Sequence, residues 1–446
     1  MQHPAGFGES SSHIPPHAAY FCAMGQPLSL LDELSWRGLL YQHTDGIAEW
    51  LATPRGIYAG FDPTASSLHV GSLLPVMGLV HAQRAGHRAV ALVGGGTGLI
   101  GDPGGKTTER PLASVEQVEA QAVAIGAQLE RFLDFSGQNR ALLRDNAQWL
   151  RSLGAIDLMR DVGKHFTVNY MLAKDSVQSR IDAGISYTEF SYMLLQAYDF
   201  LELKRRDDVS LQLGGSDQWG NMTAGMELIR RTGAGDAHVM TLPLIMKADG
   251  TKFGKTEGGA VWLDAALTSP YRFYQFWVNA DDRDVGRWLR FLTLLSRDEV
   301  EAFDAESREH PERRTAQRAL ARDVTTRVHG AEAARVAEEV SSLLFGGADA
   351  RALSAGAVDA LGREIPTAAV ALPSEGVDVL DLLTETKLAA SRGAAKRLVE
   401  QGGVYVNGAR VSMADRTVTA GGLLAGGHAL LRKGARDYAL VRLTSR

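Results

Sequence analysis

Residues 58–72, Tyr58-Ala59-Gly60-Phe61-Asp62-Pro63-Thr64-Ala65-Ser66-Ser67-Leu68-His69-Val70-Gly71-Ser72, decide the fold. The stretch begins inside a strand, residues 55–61, and breaks at Asp62-Pro63. It crosses a small polar turn and delivers His69-Val70-Gly71-Ser72 to the start of a helix over residues 72–85, with Pro75 tolerable in the first turn. A helix start offers unpaired N–H groups and a positive dipole end, which suits a phosphate. Residues 87–94 then read as a second strand, four to six apolar residues ending in glycine. Strand, helix and strand within about 40 residues form a parallel βαβ unit. The glycine-rich loop 94–110 follows at a strand's carboxyl end, where open α/β sheets hold ligands.

Outward from this unit, the 446 residues are too many for one ordinary domain. Apolar content of 45% and charged content of 22% place the chain among globular proteins rather than disordered or fibrous ones. The single cysteine, Cys22, excludes an internal disulfide and fits a reducing compartment. No run of about 18 apolar residues predicts a transmembrane helix. The first Lys or Arg is Arg37, which argues against a secretory or transit segment, and Met24 is a candidate alternative start. Net charge is −5, but residues 377–446 carry +5 and the remainder −10. A basic tail on an acidic body is the asymmetry of a protein one part of which meets a polyanion.

Residues 1–27, rich in Ser, His, Pro and Gly, are expected to lack fixed structure. Helical patterning covers 113–134 and 146–205. A strand with Gly214-Gly215-Ser216-Asp217-Gln218 and a helix from Thr223 follow, then two strand-like pieces around a glycine-rich polar loop in 237–263. The predicted organisation is α/β: a catalytic domain over 28–268, a helical domain over 269–345, a linker over 346–376 and a small α+β domain over 377–446, with a turn at Asn407-Gly408.

The glycine loop invites two readings that its neighbours exclude. Residues 96–101 fit G-x-G-x-x-G, but the acidic residue a dinucleotide site needs about 20 positions on falls in helical patterning. A phosphate loop ending at Gly105 would need glycine at Ile100. A tight strand-to-helix turn explains the glycines, whereas Asp102, a carboxylate at a buried strand's end, could hold an ammonium group or Mg²⁺. Lys252-Phe253-Gly254-Lys255-Thr256 is a solvated turn on its own. Phosphoryl transfer, however, asks for cations on a loop.

Together with His69-Val70-Gly71-Ser72, the lysine segment resembles the HIGH and KMSKS motifs of class I aminoacyl-tRNA synthetases. Residues 58–71, 94–106, 187–200, 211–221 and 252–256 narrow the resemblance to the bacterial-type tyrosyl-tRNA synthetases, from about Leu30 to the C-terminus. The resemblance implies a Rossmann-like catalytic domain with a parallel sheet, an α-helical anticodon-side domain and a C-terminal S4-like RNA-binding domain. It implies a cytoplasmic homodimer with helices around 145–185 at the interface, no membrane association, and L-tyrosine, ATP and tRNA(Tyr) as partners. Mg²⁺ would accompany ATP, and no built-in metal site is expected.

The same resemblance assigns residues. Tyr58 and Asp199 would hydrogen-bond the substrate phenol, which both donates and accepts. Asp102, Tyr192 and Gln196 would hold the ammonium. His69 and Thr64 would meet the phosphates, and Gly71 would let adenosine lie against the helix start. Gly215, Asp217 and Gln218 would lie by the ribose and substrate carboxylate. Lys252, Lys255 and Thr256 would clamp pyrophosphate, and Arg392, Lys396 and Arg397 would face tRNA. Ser72 departs from the family pattern, which has histidine there, so its contact with the ATP ribose is the weakest of these assignments. Two rivals remain: a tryptophanyl-tRNA synthetase, which the pair Tyr58 and Asp199 disfavours, and an RNA-binding scaffold on the same fold, which would show eroded motifs.

Overall fold

The structure, a computed structural model, describes residues 29–102, 112–174, 177–178, 181, 184–251, 253–256 and 259–445, with the backbone alone at 255, 256 and 445. The expected unstructured segment 1–27 lies outside these residues. Contacts divide the chain into one unit of residues 1–267 with 281–316 and a second of 268–280 with 317–446.

The first unit is built on six strands, β1 (Gln42–His43), β2 (Gly56–Phe61), β3 (Arg88–Val93), β4 (Leu142–Asp145), β5 (Val209–Gly215) and β6 (His238–Leu242). Their spatial order is β1-β6-β5-β2-β3-β4, with β1 antiparallel to β6 and the other neighbours parallel. The helices named below are α1 (Leu30–Arg37), α2 (Leu73–Arg84), α3 (Val115–Leu129), α4 (Tyr187–Asp207), α5 (Trp219–Arg231), α6 (Asp282–Leu292) and α7 (Arg297–Glu309). The apolar runs of β2, β3 and β5 are buried almost throughout, as strands covered on both faces require. Gly78 lets α2 lie against β5, since a Cβ there would stand 2.4 Å from Leu213 Cδ2.

The chain leaves β2 through α2 to β3 and through α3 to β4. It then returns to place β5 on the other side of β2. The strand order therefore reverses between β2 and β5, and a crevice opens at their carboxyl ends. Two short strands, β7 (Lys255–Thr256) and β8 (Gly259–Ala260), pair antiparallel as a hairpin at the end of the lysine segment.

The expected βαβ unit forms within a residue or two of its predicted bounds. The continuous helical patterning of 146–205 does not: short helical pieces between Ala147 and Leu172 precede α4. Gly154 takes an extended conformation and Thr167 caps a new start, so each restarts the helix. Strand β4 carries no local signal in its residues. Its charged Arg144 and Asp145 hide a strand, and Arg144 is tied to Asp207 by two hydrogen bonds of 2.6 and 2.8 Å.

The second unit carries β9 (Thr367–Leu372), β10 (Val377–Asp378), β11 (Val404–Val406), β12 (Ala409–Arg410), β13 (Thr417–Val418), β14 (His428–Lys433) and β15 (Asp437–Ser445), with a five-stranded sheet in the order β12-β11-β14-β15-β9. Asn407 and Gly408 both have positive φ, the two-residue turn expected between β11 and β12. Residues 346–376 are not a structureless linker. They form a helix, Ala355–Glu364, and β9, which pairs in parallel with β15. Small residues hid both elements, yet Val358 and Leu361 are buried with Leu430 and Leu440. The stretch 269–345 is likewise divided, with 281–316 in the first unit. There Arg37 donates to the carbonyls of Arg290, Thr293 and Leu295 at 2.8–3.0 Å, which ties the chain after α6 to α1.

Candidate active site

The crevice at the β2–β5 reversal is a cavity of about 240 Å³. Of the residues predicted from sequence, Tyr58, Thr64, Asp102, Tyr192, Gln196, Asp199, Gly215 and Gln218 line it. Tyr58 lies within β2 and Gly215 ends β5, Thr64, Asp102 and Gln218 lie in the connections that follow β2, β3 and β5, and the rest come from α4. Tyr192, Gln196 and Asp199 stand at i, i+4 and i+7, which brings them to one face of the helix. Asp62, Asp102 and Asp199 are the carboxylates of the lining, and none of the described lining residues is Lys, Arg or His. The cavity therefore favours a cationic group.

One end is held by a chain of hydrogen bonds. Tyr192 Oη donates to Asp62 Oδ2 at 2.6 Å, and Thr97 Oγ1 donates to Asp62 Oδ1 at 2.7 Å. Asn146 Nδ2 donates to Thr97 Oγ1 at 2.9 Å and to Asp199 Oδ2 at 2.8 Å, and Trp149 Nε1 donates to Asp199 Oδ1 at 2.7 Å. Gly94 is obligatory beside this chain, because a Cβ would lie 2.0 Å from Asp62 Oδ1. At the other end Gln218 Nε2 donates to Asp102 Oδ2 at 2.8 Å, and Asn221 Nδ2 donates to Gln196 Oε1 at 3.0 Å.

Burial shapes the electrostatics. It pushes the Asp199 carboxyl up to about 8, against the pull of the Asn146 and Trp149 hydrogen bonds. The Tyr58 hydroxyl is raised well above its usual value by burial and then by the Asp199 charge. Tyr192 is raised by burial and then by the charges of Asp62 and Asp102. Tyr58 is 1% exposed, and its Oη has no hydrogen-bond partner among the described residues. Its neighbour across the sheet, Gln212, has an equally buried and unpartnered Oε1. Unpartnered polar atoms in a cavity wall are what a polar ligand would satisfy.

His69, Gly71 and Ser72 are outside the lining and occupy the entry to α2. His69 Nδ1 accepts the Gly71 N–H at 3.0 Å, and a Cβ at Gly71 would lie 2.7 Å from His69 Cε1. The helix start is thus partly capped by its own histidine, a correction to the expectation of unpaired N–H groups there. Ser72 makes no capping bond. Asp217 is also outside the lining, with its carboxyl raised by burial and then by the charge of Asp102. Lys252 lies outside the described residues, as do the side chains of Lys255 and Thr256. In the second unit Arg392, Lys396 and Arg397 are all exposed; Arg392 is paired with Asp378 and Asp381, and Lys396 Nζ stands 3.8 Å from Glu400 Oε1.

Sequence reasoning missed Asp62, Thr97, Asn146, Trp149 and Gln212. Only Asp62 carried a signal, since it ends a buried strand just before proline. The others are ordinary polar residues until the topology brings them together.

Comparison with known proteins agrees with this architecture. Residues 52–346 match the family described as tRNA synthetases class I (W and Y), and residues 358–441 match a Tyrosine--tRNA ligase SYY-like C-terminal domain. A Tyrosine--tRNA ligase from Anaeromyxobacter dehalogenans is 55% identical over 417 residues, 93% of this chain and 99% of the relative. One from Bacillus caldotenax is 51% identical over 422 residues, 93% of this chain and 100% of the relative. The crystal structure of a C-terminally truncated Aspergillus nidulans mitochondrial tyrosyl-tRNA synthetase superposes with a TM-score of 0.65 at 29% identity, covering 72% of this chain and 95% of that one.

Proposed function

The chain belongs to the tyrosine–tRNA ligases, ATP-dependent enzymes of the class I synthetase family, and we propose from that premise the following division of labour in its cavity. Tyr58 and Asp199 read the phenol of L-tyrosine. The buried Tyr58 hydroxyl without a partner carries this reading, because a phenolic O–H supplies both the donor and the acceptor it lacks. Asp102, Tyr192 and Gln196, with Asp62 behind Tyr192, take the ammonium, which an acidic lining without described cations favours.

Held at both ends, the substrate directs its carboxylate toward the entry to α2. The carboxylate oxygen attacks the α-phosphorus of ATP, the bond to the β-phosphate oxygen breaks, and pyrophosphate leaves. A ribose hydroxyl of the tRNA's terminal adenosine then attacks the acyl carbon and AMP departs. No side chain becomes covalently attached, so catalysis is orientation and charge stabilisation. Thr64 and His69 would approach the phosphates, Lys252, Lys255 and Thr256 would hold the departing pyrophosphate, and Gly71 would leave room for adenosine. Ser72, Gly215, Asp217 and Gln218 would surround the ribose and substrate carboxylate. Mg²⁺ would enter on the triphosphate, with its charge shared among phosphate oxygens. The Thr64 hydroxyl and the carboxylate of Asp217 are oxygen groups of the kind such an ion accepts.

The same reading extends to assembly and to tRNA. Ile156, Met159 and Val168 are 56–72% exposed within one stretch of chain, which supports a homodimer formed through residues 145–185. The segment 377–446 would act as an S4-like RNA-binding unit and the helical region as the anticodon side. The net +5 of residues 377–446 supports the first of these. The enzyme would work in the cytoplasm. Pyrophosphate exchange measured with each of the twenty amino acids tests the central reading: tyrosine alone should support it, and exchange with tryptophan or with none would reject it.

A further inference from the structure

Ser67 and Gln128 are buried polar residues outside the cavity, 4% and 7% exposed. The inward positions of α3 are otherwise apolar or small: Val118, Ala122, Ile125, Gly126 and Leu129. A leucine at 128 would pack as well, and an amide there costs free energy unless fully bonded. It is bonded. Gln128 Oε1 accepts the Leu68 N–H at 2.9 Å, and Gln128 Nε2 donates to Ser67 Oγ at 3.0 Å. Ser67 Oγ also accepts the Asp264 N–H at 3.1 Å and donates to the Leu68 carbonyl at 2.7 Å. One hydroxyl therefore uses its one donor and both acceptor sites.

These bonds join three segments distant in sequence: α3, the chain entering His69, and the chain leaving the lysine hairpin. The last two continue in register beyond Ser67. The Leu263 N–H meets the Leu68 carbonyl at 2.9 Å, the Val70 N–H meets the Val261 carbonyl at 2.9 Å, and His69 faces Trp262 across the bridge. The Val261 N–H in turn meets the Gly254 carbonyl at 3.0 Å. Gly254, at φ 77°, is so close to Val70 that a Cβ would lie 2.7 Å from Val70 Cγ2.

We propose that Ser67 and Gln128 are positioning residues for the ATP-consuming step, fixing the histidine segment and the base of the lysine hairpin to α3 in one register. Neither residue touches the reacting atoms. Their effect is to hold the two phosphate-facing segments at a set separation, where about 1 Å of misplacement is costly. The inference rests on the reading that His69 and the lysine hairpin face the triphosphate.

The test uses the full-length chain with Ser67→Ala, Ser67→Thr, Gln128→Leu, the double variant Ser67→Ala/Gln128→Leu, and His69→Ala as a control. Tyrosine affinity is read by equilibrium dialysis, adenylate formation by single-turnover kinetics against ATP, and folding by thermal unfolding. Ser67→Ala and Gln128→Leu should each lower the ATP-saturated rate about tenfold, with tyrosine affinity within about twofold of the parent. Ser67→Thr, which keeps the hydroxyl, should stay near the parent rate. The double variant should fall within about twofold of the worse single, because the two residues act as one unit.

A parent-like rate with only a lowered unfolding temperature would overturn the proposal and make the pair purely structural. Losses that multiply in the double variant, or that appear equally in tyrosine affinity, would also overturn it. If His69→Ala keeps its rate, the underlying reading of the phosphate end fails instead. If His69→Ala is slow while Gln128→Leu is not, this inference alone fails.

Discussion

Tyr58→Phe should stabilise the free enzyme while weakening its hold on tyrosine, two effects of opposite sign from one atom. The Tyr58 hydroxyl is buried to 1% exposure without a partner among the described residues, so the folded state carries its desolvation cost. That cost is about 1–3 kcal/mol for a buried unsatisfied group. Removing the oxygen leaves the ring in place against Phe200, whose centroid is 5.2 Å away, and opens space only toward the existing cavity. A gain of about 1 kcal/mol in unfolding free energy is therefore expected. The substrate phenol loses one neutral hydrogen bond, about 0.5–1.5 kcal/mol, so the tyrosine Kd should rise roughly 2- to 12-fold. Equilibrium urea unfolding of the first unit's transition, without substrate, gives the first quantity and equilibrium dialysis with labelled tyrosine the second. A variant less stable by more than about 1 kcal/mol would show that the hydroxyl has a partner in the fold. An unchanged Kd would show that it does not meet the substrate.

Four further outcomes follow from the same geometry. Burial holds the Asp199 carboxyl at about 8, so the folded state binds its proton more tightly than the unfolded chain. The stability this group contributes is complete below the ordinary carboxylate value, declines as pH rises and is lost above about 8. Unfolding free energy should accordingly fall from pH 5 to pH 8 more steeply in the parent than in Asp199→Asn, and the opposite slope would refute the assignment. Gly71→Ala, which drives a Cβ into the His69 ring, should slow adenylate formation as His69→Ala does, by about tenfold or more, with tyrosine binding nearly unchanged. Thr97→Val removes the link between Asp62 and Asn146 and should weaken tyrosine binding by about 0.5–1.5 kcal/mol, the worth of one neutral hydrogen bond, measured by dialysis. Lys396→Ala and Arg397→Ala should weaken tRNA charging and flatten its salt dependence without touching pyrophosphate exchange.

What could be read in advance was whatever the chain writes locally. The βαβ unit was legible because β2 and β3 are continuous apolar runs and α2 starts where the polar turn ends. The Tyr192, Gln196 and Asp199 stripe was legible because polar residues at helical spacing interrupt an apolar pattern. Strand β4 was not, since Arg144 depends for its tolerance on Asp207, 63 residues away. The helix Ala355–Glu364 and strand β9 were not, since alanine and glycine lower the contrast that marks an amphipathic element. Their burial depends on Leu430 and Leu440, which the sequence places near the far end of the chain.

The same distinction explains why the substrate-facing groups and the groups that hold them differ in legibility. Tyr58, Asp102 and Asp199 sit inside recognisable local patterns. Asn146, Thr97 and Trp149 do not, yet without them Asp199 would be a carboxylate buried with neither oxygen bonded. The bonds from Asn146 and Trp149 draw the Asp199 carboxyl down against burial, so without them burial would push it higher still and its proton would be held more tightly. Asn146 also accepts the Gly96 N–H at 2.7 Å, so the residue that orients Asp199 fixes the glycine loop as well. The phenol end and the loop leading to Asp102 are thereby held by one amide at the carboxyl end of an edge strand. A residue of that kind is specified by topology rather than by neighbours in sequence. The deepest determinants of this site are therefore found only once the strand order is known.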